Sequence, residues 1–230
     1  MQECFNSQHA SELVDTRSSR SVADPVAPPA PSAVEGIGDI HQGPYSGDFN
    51  ASSWNATALL AADPAKQRAK LAKAVGLCLP RDFTIVEEAH CLEGRCEMLK
   101  LPQELTALWS HDSAAKGGIG IILHQDFLKK FDDINSSNWL EILPGYVAVL
   151  RLRGPLGSLD IFCCYFPTGG SESSSLRKQL VIDISKHIAP KEDVLSILAG
   201  DFNFVENNED RWNLQSGEFT GCLLYTSPSP

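Results

Sequence analysis

Short runs of apolar residues, each followed by polar residues, recur along the chain after about residue 50. Runs rich in β-branched residues and bounded by turn residues are typical of strands. The segments predicted to form strands are 52–56, 83–86, 117–123, 146–154, 159–167 and 194–199. A Gly-Pro-Leu-Gly sequence at 154–157 separates two of them, and these turn residues predict a β-hairpin.

Two segments carry apolar residues at helical spacing. The first follows Asp63 and Pro64, which are typical of an N-cap and a first-turn proline, and its apolar stripe contains Leu71, Val75 and Leu79. The second is predicted to begin near residue 174 and to end before residue 190. Its apolar face consists of Leu176, Leu180, Val181, Ile184 and Ile188.

This order of elements predicts the fold class. Strands joined by hairpins and mixed with helices that cover them indicate an α/β fold, a two-sheet sandwich flanked by helices, more than a regular Rossmann alternation. Folds of this kind place their chemistry at the ends of strands.

Residues 1–48 lack any apolar period, and a Pro/Ala-rich stretch at 22–36 cannot bury enough surface to offset the entropy of ordering. We therefore expect a disordered, acidic tail. The net charge of the chain is −10, and half of it lies in the first 50 residues. This charge argues against a broadly basic surface that coats nucleic acid, whereas the mildly acidic remainder is compatible with a small basic groove. The loops that would contact a substrate show no clear basic or aromatic cluster apart from Arg151, Arg153, Arg177 and Lys178.

The sequence contains no run of eighteen apolar residues, and its first residues have neither a basic start nor an apolar core of a signal peptide. We expect no membrane span and no secretion. The seven cysteines are an odd number without zinc-type spacing, which favours reduced thiols in an intracellular protein, with a nuclear location compatible.

The predicted strand at 194–199 runs into Gly-Asp-Phe-Asn, so a buried strand ends on Asp201 and Asn203. Strand alternation would place these two side chains on one face and Phe202 on the other. A carboxylate can deprotonate a water there, and the amide can orient the group that the water attacks. Glu88, at another strand end, is a hard oxygen ligand of the kind that Mg²⁺ prefers. Together they suggest metal-assisted hydrolysis of a phosphate ester.

Five motifs then follow in a known order. They are "WNATAL" (54–59), "VEEAH" (86–90), "GGIGIIL" (117–123), "YFPTGG" (165–170) and "LAGDFNF" (198–204). Their order and spacing resemble the endonuclease/exonuclease/phosphatase superfamily over about residues 50–215, with the closest similarity to the apurinic-type endonuclease domain of LINE-like retrotransposons. The resemblance implies a four-layer sandwich of two sheets and flanking helices.

The resemblance also implies roles for individual residues. Glu88 matches the ligand of a divalent metal, Mg²⁺ or Mn²⁺, and Asn55 matches the asparagine that supports the metal site. Tyr165 matches the residue that contacts the scissile phosphate. Asp201 matches the aspartate that activates water, and Asn203 the asparagine that orients the phosphate. His90 is interpreted as structural, not as a base.

Two departures from the family pattern stand out. The glutamine expected before the metal-binding glutamate is replaced by Glu87, which adds a negative charge beside the site. The closing Ser-Asp-His motif, which supplies the catalytic histidine and its aspartate partner, does not occur in the printed sequence. We therefore expect a C-terminally incomplete domain at 49–221, a segment at 222–230 that does not fit the family, an unpaired apolar sheet edge at 194–199 and no catalysis by this chain alone.

The favoured function is that of a Mg²⁺-dependent phosphodiesterase, a DNA endonuclease of the retrotransposon kind with DNA as its partner. A phosphatase acting on inositol phosphates or lipid headgroups would use the same scaffold, metal and water. A non-catalytic remnant that only binds a partner or nucleic acid also remains open.

Overall fold

The computed structural model describes residues 43–59, 63–90, 95, 99–112, 117–168, 171–203, 212–213 and 217–219. All of them belong to a compact unit that spans Ile40–Pro230. The predicted tail up to residue 42 and the predicted segment 222–230 lie outside the described residues.

The first sheet has four strands in the order β1-β2-β4-β3. These strands are β1 (Ala51–Asn55), β2 (Phe83–Glu87), β3 (Leu105–Ser110) and β4 (Ile119–His124). β1 and β2 run parallel, whereas β4 is antiparallel to both of its neighbours. Every residue of β2 is buried because this strand lies inside the sheet with both faces covered.

The second sheet has the order β5-β6-β7-β8. Its strands are β5 (Trp139–Leu143), β6 (Val147–Gly154), β7 (Gly157–Tyr165) and β8 (Leu195–Asp201). The predicted hairpin joins β6 to β7, and β8 pairs parallel to β7. A separate antiparallel pair is formed by β9 (Trp212–Asn213) and β10 (Glu218–Phe219).

Three apolar clusters divide these elements into layers. The main cluster lies between the two sheets and includes Phe83, Ile121 and Ile161. A second cluster packs α1 (Pro64–Cys78) against the outer face of the first sheet, and a third packs α3 (Ser171–Ser185) against the second. The predicted α/β sandwich with flanking helices is confirmed.

Both helices differ from the predictions in their buried faces or bounds. The buried residues of α1 are Ala74 and Cys78, while Leu79 follows the helix and is 45% exposed. Small side chains let the helix approach the sheet closely. Of the predicted apolar stripe, Val75 packs against this cluster beside Ala74, whereas Leu79 does not. α3 begins before residue 174 and ends at Ser185, which leaves Ile188 outside it and 43% exposed.

Three further elements complete the described fold. The helical turns α2 (Gln125–Leu128) and η1 (Ser136–Asn138) precede β5, and neither was predicted. Residues 43–48, assigned to the tail from composition, pack against the sandwich: Pro44 bridges to Ser158, and Tyr45 is buried in the main core. No described helix is long and apolar enough to cross a bilayer.

Candidate active site

The carboxyl ends of two parallel strand pairs meet at one edge of the sandwich. In the first sheet Asn55 pairs with Glu87, and in the second Tyr165 pairs with Asp201. Each of these residues is the last of its strand, so the peptide chain delivers polar side chains to the same place. Carboxyl ends of parallel strands are the usual position of sites in open α/β sheets.

Gly200 allows β8 to stay paired with β7 up to its last residue, Asp201. Its φ of 140° lies in a region that residues with a side chain rarely adopt, and a Cβ there would overlap the carbonyl of Cys164 on β7. The close approach of the two backbones brings Asp201 to the end of a paired ladder, and the Phe166 N–H donates to the Asp201 carbonyl at 2.8 Å.

Asp201 is held on both carboxylate oxygens. Asn55 Nδ2 donates to Oδ2 at 2.9 Å, and the backbone N–H of Asn203 donates to Oδ1 at 3.1 Å. Asn55 Oδ1 in turn accepts from both the N–H and the hydroxyl of Thr57, at 3.0 and 3.1 Å. Because an amide oxygen has two lone pairs, both are occupied, and Asn55 supports the site by orienting Asp201.

Asn203 reaches the site by a different route from the predicted alternation. β8 ends at Asp201, and Asn203 has a φ of 50°, outside strand geometry. Its Nδ2 donates to the carbonyl of Phe166 at 2.9 Å, which leaves its second N–H for another acceptor. Phe202 packs edge-on against Phe166 and joins the cluster beneath α3, as predicted for the opposite face.

Glu88 and Tyr165 lie together across the gap between the sheets. Both side chains line the same pocket. Burial first, and then the neighbouring Glu88 carboxylate and the charge of Asp201, raise the pKa of Tyr165, so its phenol stays protonated. The Tyr165 ring is stacked on Tyr146 with the ring centroids 6.0 Å apart.

Glu87 is the buried acid of the pair in the "VEEAH" motif. Its side chain is 1% exposed, Ser53 Oγ donates to its Oε1, and its Oε2 has no hydrogen-bond partner within the described residues. Burial raises the pKa of Glu87 to about 7, against the lowering effect of Ser53, and the charges of Asp201 and Glu88 add to the rise. Glu88, by contrast, has a side chain that is 19% exposed.

The backbone at this edge is unusual. The described non-glycine residues with a positive φ are Thr57, Ala58, Glu88, His90 and Asn203. All of them follow the ends of β1, β2 or β8. Such conformations are uncommon and cluster at functional sites, where the surrounding structure holds them in place.

Lys70 on α1 holds the first of these turns. Its ammonium group donates to the carbonyls of Ala56, Thr57 and Ala58, the residues that follow Asn55. The sequence pattern did not predict the roles of Lys70 and Ser53. Each acts through a partner that only the folded chain brings near.

The oxygen-rich donor set suits a hard cation. Glu87, Glu88 and Asp201 lie close enough for their charges to interact, and the ion pairs of the described residues give them one partner, His90, 3.9 Å from Glu88. No cluster of three or more His, Cys, Asp or Glu positioned to hold a metal occurs within the described ranges. Mg²⁺ commonly takes only one or two carboxylates and keeps several waters, so a site with few protein ligands would suit this ion.

The remaining candidates lie elsewhere or act structurally. Arg177 is buried at the base of α3 and donates to the Pro167 carbonyl at 2.6 Å. Arg151 and Arg153 form ion pairs with the buried Asp160, near the opposite end of β7. These three arginines therefore do not form one cluster at the site.

Comparison with known proteins gives matches to solved structures. AP endonuclease LMAP from Leishmania major aligns with a TM-score of 0.52 and 16% identity, over 70% of this chain and 57% of that one. A humanized D. rerio TDP2 with 14 mutations aligns with a TM-score of 0.44 and 19% identity, over 67% and 62%. D. rerio TDP2 complexed with a single strand DNA product aligns with a TM-score of 0.42 and 17% identity, over 66% and 60%.

The chain thus spans less than two thirds of the length of each of these structures. No protein-family model and no curated protein matches it. At such low identity the likeness to LMAP establishes the fold alone, and it confirms an α/β sandwich of the endonuclease/exonuclease/phosphatase type.

Proposed function

We propose that this chain forms the metal- and phosphate-binding part of a phosphodiesterase that cleaves DNA. The observation that carries this proposal is the hydrogen bond from Asn55 to Asp201, which joins the two sheets at the edge where Glu88 and Tyr165 line one pocket. A structural sandwich needs no such set of carboxylates, amides and a phenol at one strand edge. The fold shared with an AP endonuclease supports the same class of reaction.

Each side chain has a definite task in this proposal. Asp201, oriented by Asn55 and by the Asn203 backbone, accepts a proton from the attacking water. Asn203 keeps one side-chain N–H for a phosphate oxygen, while its other N–H is fixed by Phe166. Tyr165, whose phenol stays protonated, donates a hydrogen bond to a phosphate oxygen and so orients the phosphate beside Glu88.

Glu88 is the residue that would hold Mg²⁺ or Mn²⁺, with Asp201 as its charged neighbour. When bound, such an ion polarises a phosphate oxygen and offsets the negative charge of the transition state. The buried Glu87 adds charge to the same region without offering an accessible ligand.

The motif order supports a DNA endonuclease of the retrotransposon kind. The phosphatase alternative would need cationic groups for additional phosphates, but Arg151 is paired with Asp160 and Arg177 is buried and donates to the Pro167 carbonyl. A non-catalytic remnant would have the same fold and would differ from the proposed enzyme only in lacking catalysis, so the experiments below distinguish the two.

Isothermal titration calorimetry of the full chain with Mn²⁺ tests the metal site. We expect a single site whose affinity falls about tenfold or more in Glu88→Gln. Glu141→Gln, which removes an exposed charge on β5, is the matched control and should bind like the wild type. Absence of Mn²⁺ binding, or loss of affinity only in Glu87→Gln, would contradict the assignment of Glu88.

We further propose that the printed chain alone does not nick DNA, since it lacks a Ser-Asp-His sequence. Asp201 and its neighbours can orient water and phosphate, but a missing electrostatic group typically costs a hundredfold or more in rate. A supercoiled-plasmid assay with Mg²⁺ measures this. Metal binding without nicking is the expected result. Robust nicking that Asp201→Asn abolishes would refute the inactivity and support the phosphodiesterase assignment, whereas absence of both metal binding and nicking would favour the remnant alternative.

A further inference from the structure

A pocket of about 430 Å³ opens directly beside Glu88 and Tyr165. Its other walls come from the start of β6 and the start of α3, including Tyr146, Glu172 and Leu176. A volume in this range is typical of sites for small organic groups. The roles proposed for Glu88 and Tyr165 leave this space unused, so it requires its own explanation.

Tyr146 gives the pocket an aromatic wall. Its ring lies nearly parallel to that of Tyr165, with an interplanar angle of 20°, and the Tyr165 N–H donates to the Tyr146 carbonyl at 2.7 Å. The Tyr146 hydroxyl donates to Asp112 Oδ2 at 3.3 Å. Tyr146 is half-buried, so part of its side chain remains accessible from the pocket.

The turn before Tyr146 fixes this arrangement. Gly145 has a φ of 74°, and a Cβ at this position would run into Asp112, so the turn depends on a glycine. The Gly145 N–H donates to Ser110 Oγ at 2.8 Å, at the end of β3. The tyrosine ring is therefore placed before any ligand arrives, which lowers the entropy cost of stacking on it.

The charges of the pocket select against phosphate. The described residues that line it include two carboxylates, Glu88 and Glu172, and neither Lys nor Arg; the one histidine, His90, lies 3.9 Å from Glu88. A second phosphate group would be repelled here unless cations accompanied it. The hydroxyl groups of Thr168 and Ser173 line the same space and can exchange hydrogen bonds with a neutral polar ring.

We propose that this pocket binds the base of an unpaired nucleotide that adjoins the phosphate held by Tyr165 and Asn203, with the base stacked on Tyr146. The proposal rests on the proposed function for the identity of that phosphate. It names single-stranded or locally unpaired DNA as the substrate class, because a base inside a duplex is stacked and cannot enter the pocket.

Fluorescence anisotropy of short dye-labelled DNA strands that bind the full chain tests whether the pocket holds a base. One strand carries all its bases, and a second has the same phosphates with abasic residues. Stacking of one base on an aromatic side chain corresponds to a preference of about 5- to 150-fold for the strand with bases. We measure binding in EDTA, so the result depends neither on metal nor on turnover, and a failure of the proposed function is seen separately in the Mn²⁺ titration.

Variants of Tyr146 test whether its ring causes the preference for the strand with bases. Tyr146→Leu should bind both strands equally, whereas Tyr146→Phe, which loses only the bond to Asp112, and Tyr146→Trp should retain the preference. Equal binding of the two strands by the wild type, or an undiminished preference in Tyr146→Leu, would overturn the proposal. Displacement of the strand by inositol hexakisphosphate at lower concentrations than by a thymidine dinucleotide would also overturn it. If Tyr146→Leu does not fold, the wild-type comparison alone decides.

Discussion

Replacing Glu87 with glutamine should make the protein more stable above neutral pH. The side chain is 1% exposed, and its Oε2 has no hydrogen-bond partner in the described part of the chain. Burial, reinforced by the charges of Asp201 and Glu88, raises its pKa from 4.5 to about 7. The substitution keeps the shape of the side chain and removes the buried charge.

The raised pKa fixes the direction of the pH dependence. The folded state binds the Glu87 proton more tightly than the unfolded state, so this contribution to stability is complete below about pH 4.5. It declines as the pH rises toward 7 and is lost above that value. The difference between the two pKa values corresponds to a free energy on the order of 3 kcal/mol.

The net gain of Glu87→Gln is smaller than this figure. A glutamine can still accept the bond from Ser53, but its amide N–H group would occupy the place of the unpartnered Oε2, and such a buried donor costs about 1–3 kcal/mol. We expect the variant to gain about 1–2 kcal/mol at pH 8 relative to the wild type and to lose this advantage at pH 5.

Urea unfolding followed by tryptophan fluorescence from pH 5 to 8, in EDTA, measures the effect. EDTA is needed because a bound cation would favour the charged form of Glu87. Glu141→Gln on the exposed face of β5 controls for the change in net charge. A wild-type stability that does not fall relative to Glu87→Gln between pH 5 and pH 8 would refute the reasoning.

Three other substitutions test how the site is held. Gly200→Ala should destabilise the fold by about 1–3 kcal/mol, because its Cβ meets the Cys164 carbonyl; an unchanged melting temperature would contradict this. Lys70→Met should cost about 2 kcal/mol in urea unfolding, whereas Lys66→Met on the exposed side of α1 should cost nothing, and equal effects would show that the carbonyl contacts are unimportant. Asn203→Ala removes the hydrogen bond to the Phe166 carbonyl and should cost about 1 kcal/mol by thermal unfolding; full stability would mean that the amide serves only the substrate.

In the two four-stranded sheets the sequence pattern predicted all four inner strands and missed two edge strands, β3 and β5; the two-residue strands β9 and β10 were not predicted either. β2, β4, β6 and β7 lie inside the sheets and are almost fully buried, so their apolar runs are long. β3 and β5 are edge strands with half-buried or exposed residues, and their patterns resemble loops. β8 was expected to be apolar and to leave an unpaired sheet edge; among the described residues it forms the other edge of the second sheet, and its Leu198 is 40% exposed.

The residues of the site were predicted from the sequence, but the contacts that hold them were not. Asn55, Glu88, Tyr165, Asp201 and Asn203 stand in motifs whose order can be read along the chain, and the structure brings them to one edge. The bond from Ser53 to Glu87 and the contact of Tyr146 with Asp112 join residues more than thirty positions apart. A linear pattern contains no information on such pairs, because sheet register decides them.

The backbone at the strand ends shows why these carboxylates can stand so close together. Conformations with a positive φ cost about 1–3 kcal/mol each for non-glycine residues and persist only where other contacts hold them. At Glu88 that contact is the Ala58 N–H, which donates to the Glu88 carbonyl at 2.7 Å, and at Asn203 it is the Asp201 carboxylate. Because the holding groups come from β1, β8 and the loops that follow them, the acidic residues gather only after both sheets have formed. The free energy of the packed core thus opposes the repulsion at the edge, and a cation bound there would reduce that repulsion further.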